Sequence, residues 1–183
     1  MEIVGYLEVE SSHAIKAGLD SVFFGASATQ AFSDDAARAQ FRHRWLGRYL
    51  EQEAEHAFLA LADDGTLAGY VIGALGDPAR DPRCSDLGYY EDFAAFTAKL
   101  PAHLHINLAP QFRSSGIGSR LVAAFAEHAA ERGAPGLHIV TGKGMRNVGF
   151  YARNGFEVLA EAPWKGSHVV LMGRTLSRPA TTA

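Results

Sequence analysis

The spacing of apolar positions changes period along this chain. From residue 12 to residue 50 apolar side chains recur every three or four positions, as on helices that bury one face. One helix is expected to end near Phe24, with Ser11 or Ser12 as its cap. The next is expected over roughly 34–50, capped by Ser33. Phe41, Trp45 and Tyr49 repeat there at four-residue spacing as an aromatic stripe, read as core, and Gly47 weakens this helix locally. The pattern then shortens. Residues 56–62 and 66–75 read as two strands, joined by the hairpin turn Asp63-Asp64-Gly65. Two Asp-Pro pairs and a glycine make 76–83 a loop.

The second half alternates. A short helix is expected over 89–100, ended by Pro101, then a strand over 102–109, closed by Pro110. Residues 118–132 are the strongest helix, with Leu121, Val122, Phe125 and Ala129 on its apolar face and Gly133 as its stop. A strand over 137–141, a helix over 145–154 and strands over 156–161 and 168–175 complete the order. Alternation argues for parallel pairing in this half, and hairpins for antiparallel pairing elsewhere, so the sheet is mixed with helices against it. Residues 1–176 are expected to form a single domain and 177–183 a flexible tail.

Composition narrows the classes. At 183 residues, with 48% hydrophobic and 20% charged positions, the chain is long enough for one real core. Net charge is −3 and no basic run occurs, so nucleic acid is not an expected partner. No apolar run is long enough to span a membrane, and the start lacks the basic-then-apolar pattern of a signal peptide. The single cysteine, Cys84, has no internal disulfide partner and lacks the context of a thiol nucleophile. A cytoplasmic location is expected.

The candidate chemistry centres on Gln111-Phe112-Arg113-Ser114-Ser115-Gly116-Ile117-Gly118, between an apolar run and a helix. Glycine lets backbone approach a phosphate, and the first N–H groups of a helix point outward with partial positive charge. Strand, glycine loop and helix start together make an anion site. Other nucleotide motifs fail. Gly142-Lys143-Gly144 lacks the earlier glycine and the hydroxyl residue of a P-loop, and Leu121 stands where a dinucleotide fingerprint needs its third glycine. On the preceding strand His103, His105 and Asn107 alternate with Leu104, Ile106 and Leu108, so the polar three share a face. An imidazole, with an ordinary pKa of about 6.5, suits proton transfer near neutrality. No third ligand accompanies the His-x-His pair at fixed spacing, so no metal is expected.

These residues resemble the GNAT superfamily of acyl-CoA N-acyltransferases. Arg113-Ser114-Ser115-Gly116-Ile117-Gly118 matches its Arg/Gln-x-x-Gly-x-Gly/Ala loop, and Phe150-Tyr151-Ala152-Arg153-Asn154-Gly155-Phe156 matches its second feature. One strand and one helix separate the two, and the likeness covers almost the whole chain. It implies an α/β (α+β) fold: a mixed, mostly antiparallel sheet of six to seven strands, flanked by helices and splayed at the cofactor strands. It implies acetyl-CoA, with its pyrophosphate on Arg113, Ser114, Ser115, Gly116, Ile117 and Gly118, and Ser119 at the helix start. The pantetheine arm would meet backbone of Ile106 and Leu108, with Asn147 and Tyr151 also at the cofactor. The implied reaction moves an acetyl group directly to a primary amine in a ternary complex. Tyr151 would protonate the leaving thiolate, and His105, ahead of His103 and Asn107, would serve as base. The acceptor would be a small-molecule or peptide amine. Homodimers occur in the family.

Two positions depart from the family pattern. Gly144 stands where an Asn is common, with Asn147 nearby, and the 102–109 strand carries no acid. A silent module that binds acyl-CoA or a protein partner is therefore the alternative. Residues 101–108 and 169–176 also look like the acetyltransferase-like C-terminal domain of O-GlcNAcase and its stand-alone bacterial relatives.

Overall fold

The structure, a computed structural model, describes residues 1–9 and 12–177. Ser11 and most of the expected tail lie outside those residues. The strands are β1 (Glu2–Gly5), β2 (Phe58–Leu61), β3 (Leu67–Ala74), β4 (Ala102–Leu108), β5 (Gly136–Gly142), β6 (Glu157–Trp164) and β7 (Ser167–Thr175). The helices are α1 (His13–Ala26), α2 (Asp35–Arg42), α3 (Arg48–Gln52), α4 (Tyr89–Thr97), α5 (Ile117–Glu131) and α6 (Asn147–Arg153). The seven strands run in the order β1-β2-β3-β4-β5-β7-β6. β4 and β5 pair parallel, while β1–β2, β2–β3, β5–β7 and β6–β7 pair antiparallel. This is the mixed, mostly antiparallel sheet that the sequence implies. Among the described residues no helix is long and apolar enough to cross a membrane.

The chain divides into two compact units. The first holds Met1–Ala74 and His105–Phe125. Ser12 caps α1, its Oγ accepting the Ile15 N–H at 3.2 Å. The expected 34–50 helix differs in two ways. Its cap is Asp34, whose Oδ1 accepts the Ala37 N–H at 2.7 Å, while the Ser33 hydroxyl donates to Asp34 Oδ2. A carboxylate is the stronger acceptor at a positive helix end, so it takes the cap from the neighbouring serine. A π-helical turn, His43–Gly47, also separates α2 from α3. β1 was not expected, because four residues carry too little periodicity to be read. The hairpin turn forms as expected. Asp64 Oδ1 accepts the Thr66 N–H at 2.9 Å and Gly65 takes φ +82°.

Burial in this unit explains how β4 is held. All eight residues of β3 are buried, with Leu19, Leu46, Leu59 and Tyr70 in the same core. Gly69 on β3 lies so near the end of β4 that a Cβ there would meet Leu108 Cδ2 at 2.3 Å and the Asn107 carbonyl oxygen at 2.6 Å. The Ala109 N–H bonds the Ala68 carbonyl at 2.9 Å beside this contact. Close backbone approach is therefore the reason for glycine here.

The second unit holds Leu75–Leu104 and the chain from Ala126 onward. β5 pairs β7 from Gly136↔Thr175 to Gly142↔Val169. β6 runs three residues past its expected end, and the β6–β7 turn is Lys165-Gly166, with φ +45° and +77°. Two left-handed residues suit a tight hairpin. α4 packs on β6, and Trp164 meets Tyr89 edge to face at 4.9 Å. Gly69→Ala should lower folding stability by about 1–3 kcal/mol, read as a fall in urea midpoint. An unchanged midpoint would show that the β3–β4 approach has slack.

Candidate active site

The loop after β4 is built by its backbone. Pro110–Phe112 forms a 3₁₀ turn, and Arg113 Nε donates back to the Leu108 carbonyl at 3.3 Å. Ser115 Oγ donates to the Phe112 carbonyl. The loop side chains thus brace the loop itself. Ser114 adopts φ +62° and Gly116 φ +83°. Left-handed backbone is costly for serine, and such residues concentrate at ligand sites. For Gly116 this dihedral, not crowding, requires glycine, since a Cβ would meet nothing within 4 Å. The chain then enters α5, whose first backbone bond from this segment is Arg120 N–H to the Gly116 carbonyl at 3.2 Å. The amides of Ile117, Gly118 and Ser119 precede it and, as the first N–H groups of a helix, have no partner within it. Residues 113–116 and Ser119 are exposed, whereas Ile117 and Gly118 are buried. An exposed loop, left-handed turns and a helix start fit a diphosphate.

In the same unit β4 presents His105, Ile106, Asn107 and Leu108, all half-buried. His105 Nε2 lies 3.0 Å from Tyr49 Oη. Trp45 and Tyr49 meet the imidazole edge-on, at 5.4 and 5.0 Å between ring centres. Asn107 Nδ2 donates to Tyr70 Oη at 2.7 Å, and burial pushes the Tyr70 phenol above its ordinary range. Tyr49 and Tyr70 are the polar partners that sequence reasoning missed. The available signal was that a tyrosine inside an apolar stripe still needs a mate for its hydroxyl.

The second unit carries the other candidates. His103 is buried, stacked on His138 at 5.5 Å with 29° between planes, and its Nδ1 faces the Pro101 carbonyl at 3.5 Å. Burial pulls its pKa down to about 4. An imidazole that far below neutrality is a poor acceptor for the proton of an amine. Tyr151 on α6 is 6% exposed, between Phe150 at 5.2 Å and Phe156 at 5.5 Å. Burial alone raises its phenol, and among the described residues its hydroxyl makes no hydrogen bond. Gly155 ends α6 with φ +81°, and Arg174 Nη1 donates to the Asn154 carbonyl at 2.8 Å. Asn147, exposed at the start of α6, accepts from Thr141 Oγ1 at 2.9 Å.

Elsewhere Glu53, Glu55 and His56 bring ligand-type atoms within 4.8 Å of one another. His56 Nε2 lies 3.7 Å from Glu53 Oε2 and 3.9 Å from Glu55 Oε1.

The family model described as the acetyltransferase (GNAT) family matches residues 24–156. Solved structures share the fold. SsHAT aligns over 95% of this chain and 97% of its own, with TM-score 0.72 and 24% identity. A ribosomal-protein-alanine N-acetyltransferase from Brucella melitensis aligns over 96% of this chain and 100% of its own, with TM-score 0.64 and 19% identity. A phosphinothricin acetyltransferase from Sinorhizobium meliloti, in complex with AcCoA, aligns over 91% and 88%, with TM-score 0.55 and 18% identity.

The buried His103 gives a testable pH dependence. The unfolded chain binds its proton at the ordinary pKa of about 6.5, before the folded chain does. Stability from this group is therefore full above that pH and falls as pH drops toward about 4, by about 3 kcal/mol. An NMR titration of the His103 ring should give a midpoint near the lower value. A midpoint near the ordinary one would contradict the burial argument.

Proposed function

We propose a reaction for this chain, which belongs to the GNAT family of acetyltransferases: residues 1–176 act as one acetyl-CoA-dependent N-acetyltransferase domain. The observation that carries this is the start of α5 at Ile117 directly behind the left-handed Ser114 and Gly116, where a helix leaves its first N–H groups without an internal partner. In this reading the amides from Ser114 to Ser119 hold the diphosphate of acetyl-CoA, the expected Arg113 N–H being taken instead by the Pro110 carbonyl at 3.2 Å, and backbone of Ile106 and Leu108 aligns the pantetheine arm. Asn147 adds a contact through its amide N–H groups. The cofactor supplies an acetyl carbon already activated as a thioester.

The chain's residues then manage two protons. A C–N bond forms as a C–S bond breaks, and the amine nitrogen must shed one proton while the sulfur gains one. His105 takes the first. It is favoured over His103, whose imidazole is buried and weakly basic. Asn107, bonded to Tyr70, is no proton acceptor and acts in positioning. Tyr151 Oη gives the second proton to sulfur. Burial makes it a weaker acid than a free phenol, so the transfer needs the negative charge that develops on sulfur as the C–S bond breaks. Exchange with solvent resets both groups, leaving an N-acetyl amine and a free thiol.

The acceptor is a small-molecule or peptide amine. A net charge of −3 gives no reason to include nucleic acid. Cys84, reduced and buried, accords with a cytoplasmic location. The narrower kinship with the O-GlcNAcase-type domain rests on residues 101–108 and 169–176 alone. A second reading, an acyl-CoA-binding or protein-binding module without turnover, is favoured by the lack of any carboxylate on β4.

Calorimetry with acetyl-CoA, followed by thiol-release assays over an amine panel, tests the proposal. The wild type should bind and turn over. Tyr151→Phe should bind equally well but lose about 10–100-fold in kcat. Binding with no turnover on any amine would leave the silent module. Full activity in Tyr151→Phe would remove Tyr151 from the mechanism.

A further inference from the structure

We propose that a cavity beside Arg174 binds a singly charged organic carboxylate with an apolar body. This goes beyond the transfer reaction and does not depend on it. The cavity, about 440 Å³, lies in the second unit, at the end of the β5–β7 ladder where Gly136 faces Thr175. The loop to α6 leaves the other end, after Gly142↔Val169, about 20 Å away along the strand. The cavity and the proposed cofactor contact Asn147 therefore sit at opposite ends of β5.

Charge is the first argument. Arg174 is half-buried, and its burial pulls the guanidinium below its ordinary pKa. The group still carries its charge at neutral pH, with five N–H donors and no acceptor. Nη1 donates to the Asn154 carbonyl at 2.8 Å, and the guanidinium lies 5.3 Å from the Phe156 ring centre. Among the described residues Arg174 forms no ion pair, and its Nε is buried without an acceptor. A half-buried cation without a counter-charge is costly, and an anion in the cavity offsets that cost. Because a guanidinium can only donate, its partner there must accept.

The walls decide the kind of anion. Leu100, Leu159 and Leu176 line the cavity with apolar surface, which a bare inorganic ion leaves uncovered. Gly173 lines it as well, and a Cβ there would meet Leu100 Cδ1 at 2.4 Å and Leu159 Cδ1 at 2.8 Å. The glycine is what lets the two leucines close over β7. The β6–β7 register shifts between Val158 and Ala160, leaving Leu159 opposite no residue of β7. A bulge of this kind re-aims a side chain, and Leu159 is the one that reaches the cavity. Glu157, exposed, stands in the same lining. Its carboxylate repels a doubly charged phosphate more than a singly charged ligand. An apolar monocarboxylate meets all three conditions: the charge of Arg174, the leucine walls and the repulsion from Glu157.

Octanoate is the probe, titrated into the wild-type protein and followed by NMR at the Arg174 Nε–H and the methyl groups of Leu100, Leu159 and Leu176. These signals should move together and saturate, with a Kd of about 1 mM or tighter. Octanol, the same chain without the charge, and inorganic phosphate should each bind about tenfold more weakly. Arg174→Gln should lose about tenfold in octanoate affinity. Glu157→Gln, which leaves Arg174 in place, should gain about twofold to threefold. Saturating acetyl-CoA should leave the octanoate titration unchanged. Absence of saturation at those signals would overturn the proposal. So would equal affinity for octanol or phosphate, or unchanged affinity in either variant. Competition by acetyl-CoA would overturn it too, because octanoate would then occupy the cofactor's own site. Every arm reads binding, so its outcome is separate from whether the chain acetylates an amine.

Discussion

The site depends on backbone amides that a helix cannot satisfy for itself. At the start of α5, Ile117, Gly118 and Ser119 have no carbonyl one turn earlier to bond. A left-handed Ser114 and a left-handed Gly116 turn the chain from β4 into that helix, so α5 starts at the end of an exposed loop, with Ile117 and Gly118 buried and Ser119 exposed. Two of the loop's side chains turn back on the loop itself. Arg113 is held by the Leu108 carbonyl and Ser115 by the Phe112 carbonyl. In the proposed function the main chain at the start of α5 would hold the anion, since helix polarity favours negative charge there. The apolar face of α5, with Leu121 and Phe125 fully buried, anchors the helix that presents them.

Environment separates two histidines that look equivalent along β4. His103 sits in apolar and aromatic surroundings beside Tyr90 and His138, and burial lowers its affinity for a proton. His105, two residues on, is half-buried, with a phenol oxygen at hydrogen-bond distance. The same side chain is thus a core group at one position and a candidate proton carrier at the other. Gly69 matters to this arrangement because it lets β3 approach the end of β4, and β3 also carries Tyr70, the partner of Asn107.

Much of the scaffold was legible because periodicity and stop signals agree. Ser12, Gly65 and Gly155 sit where their cap and turn chemistry places them. The loop of 113–118 was legible because Gly116 and Gly118 fall between a strand pattern and the first turn of an apolar-faced helix, the spacing a phosphate-binding turn requires. What escaped depended on competition or on distance. Asp34 took a cap assigned to Ser33, because a charged acceptor displaces a hydroxyl only once both are seen in place. β1 is too short to show a period. The π turn at His43–Gly47 leaves no sequence mark beyond the weak helix signal of Gly47. Tyr49 and Tyr70 were hidden because their partners lie 56 and 37 residues away.

The most direct measurement is an amide-resolved NMR titration with coenzyme A. Saturation should move the signals of residues 114–119 most, with Ile117, Gly118 and Ser119 shifting as hydrogen bonds to phosphate form. Saturable binding that leaves those three amides unmoved would contradict the account, because the diphosphate would then rest somewhere other than the start of α5.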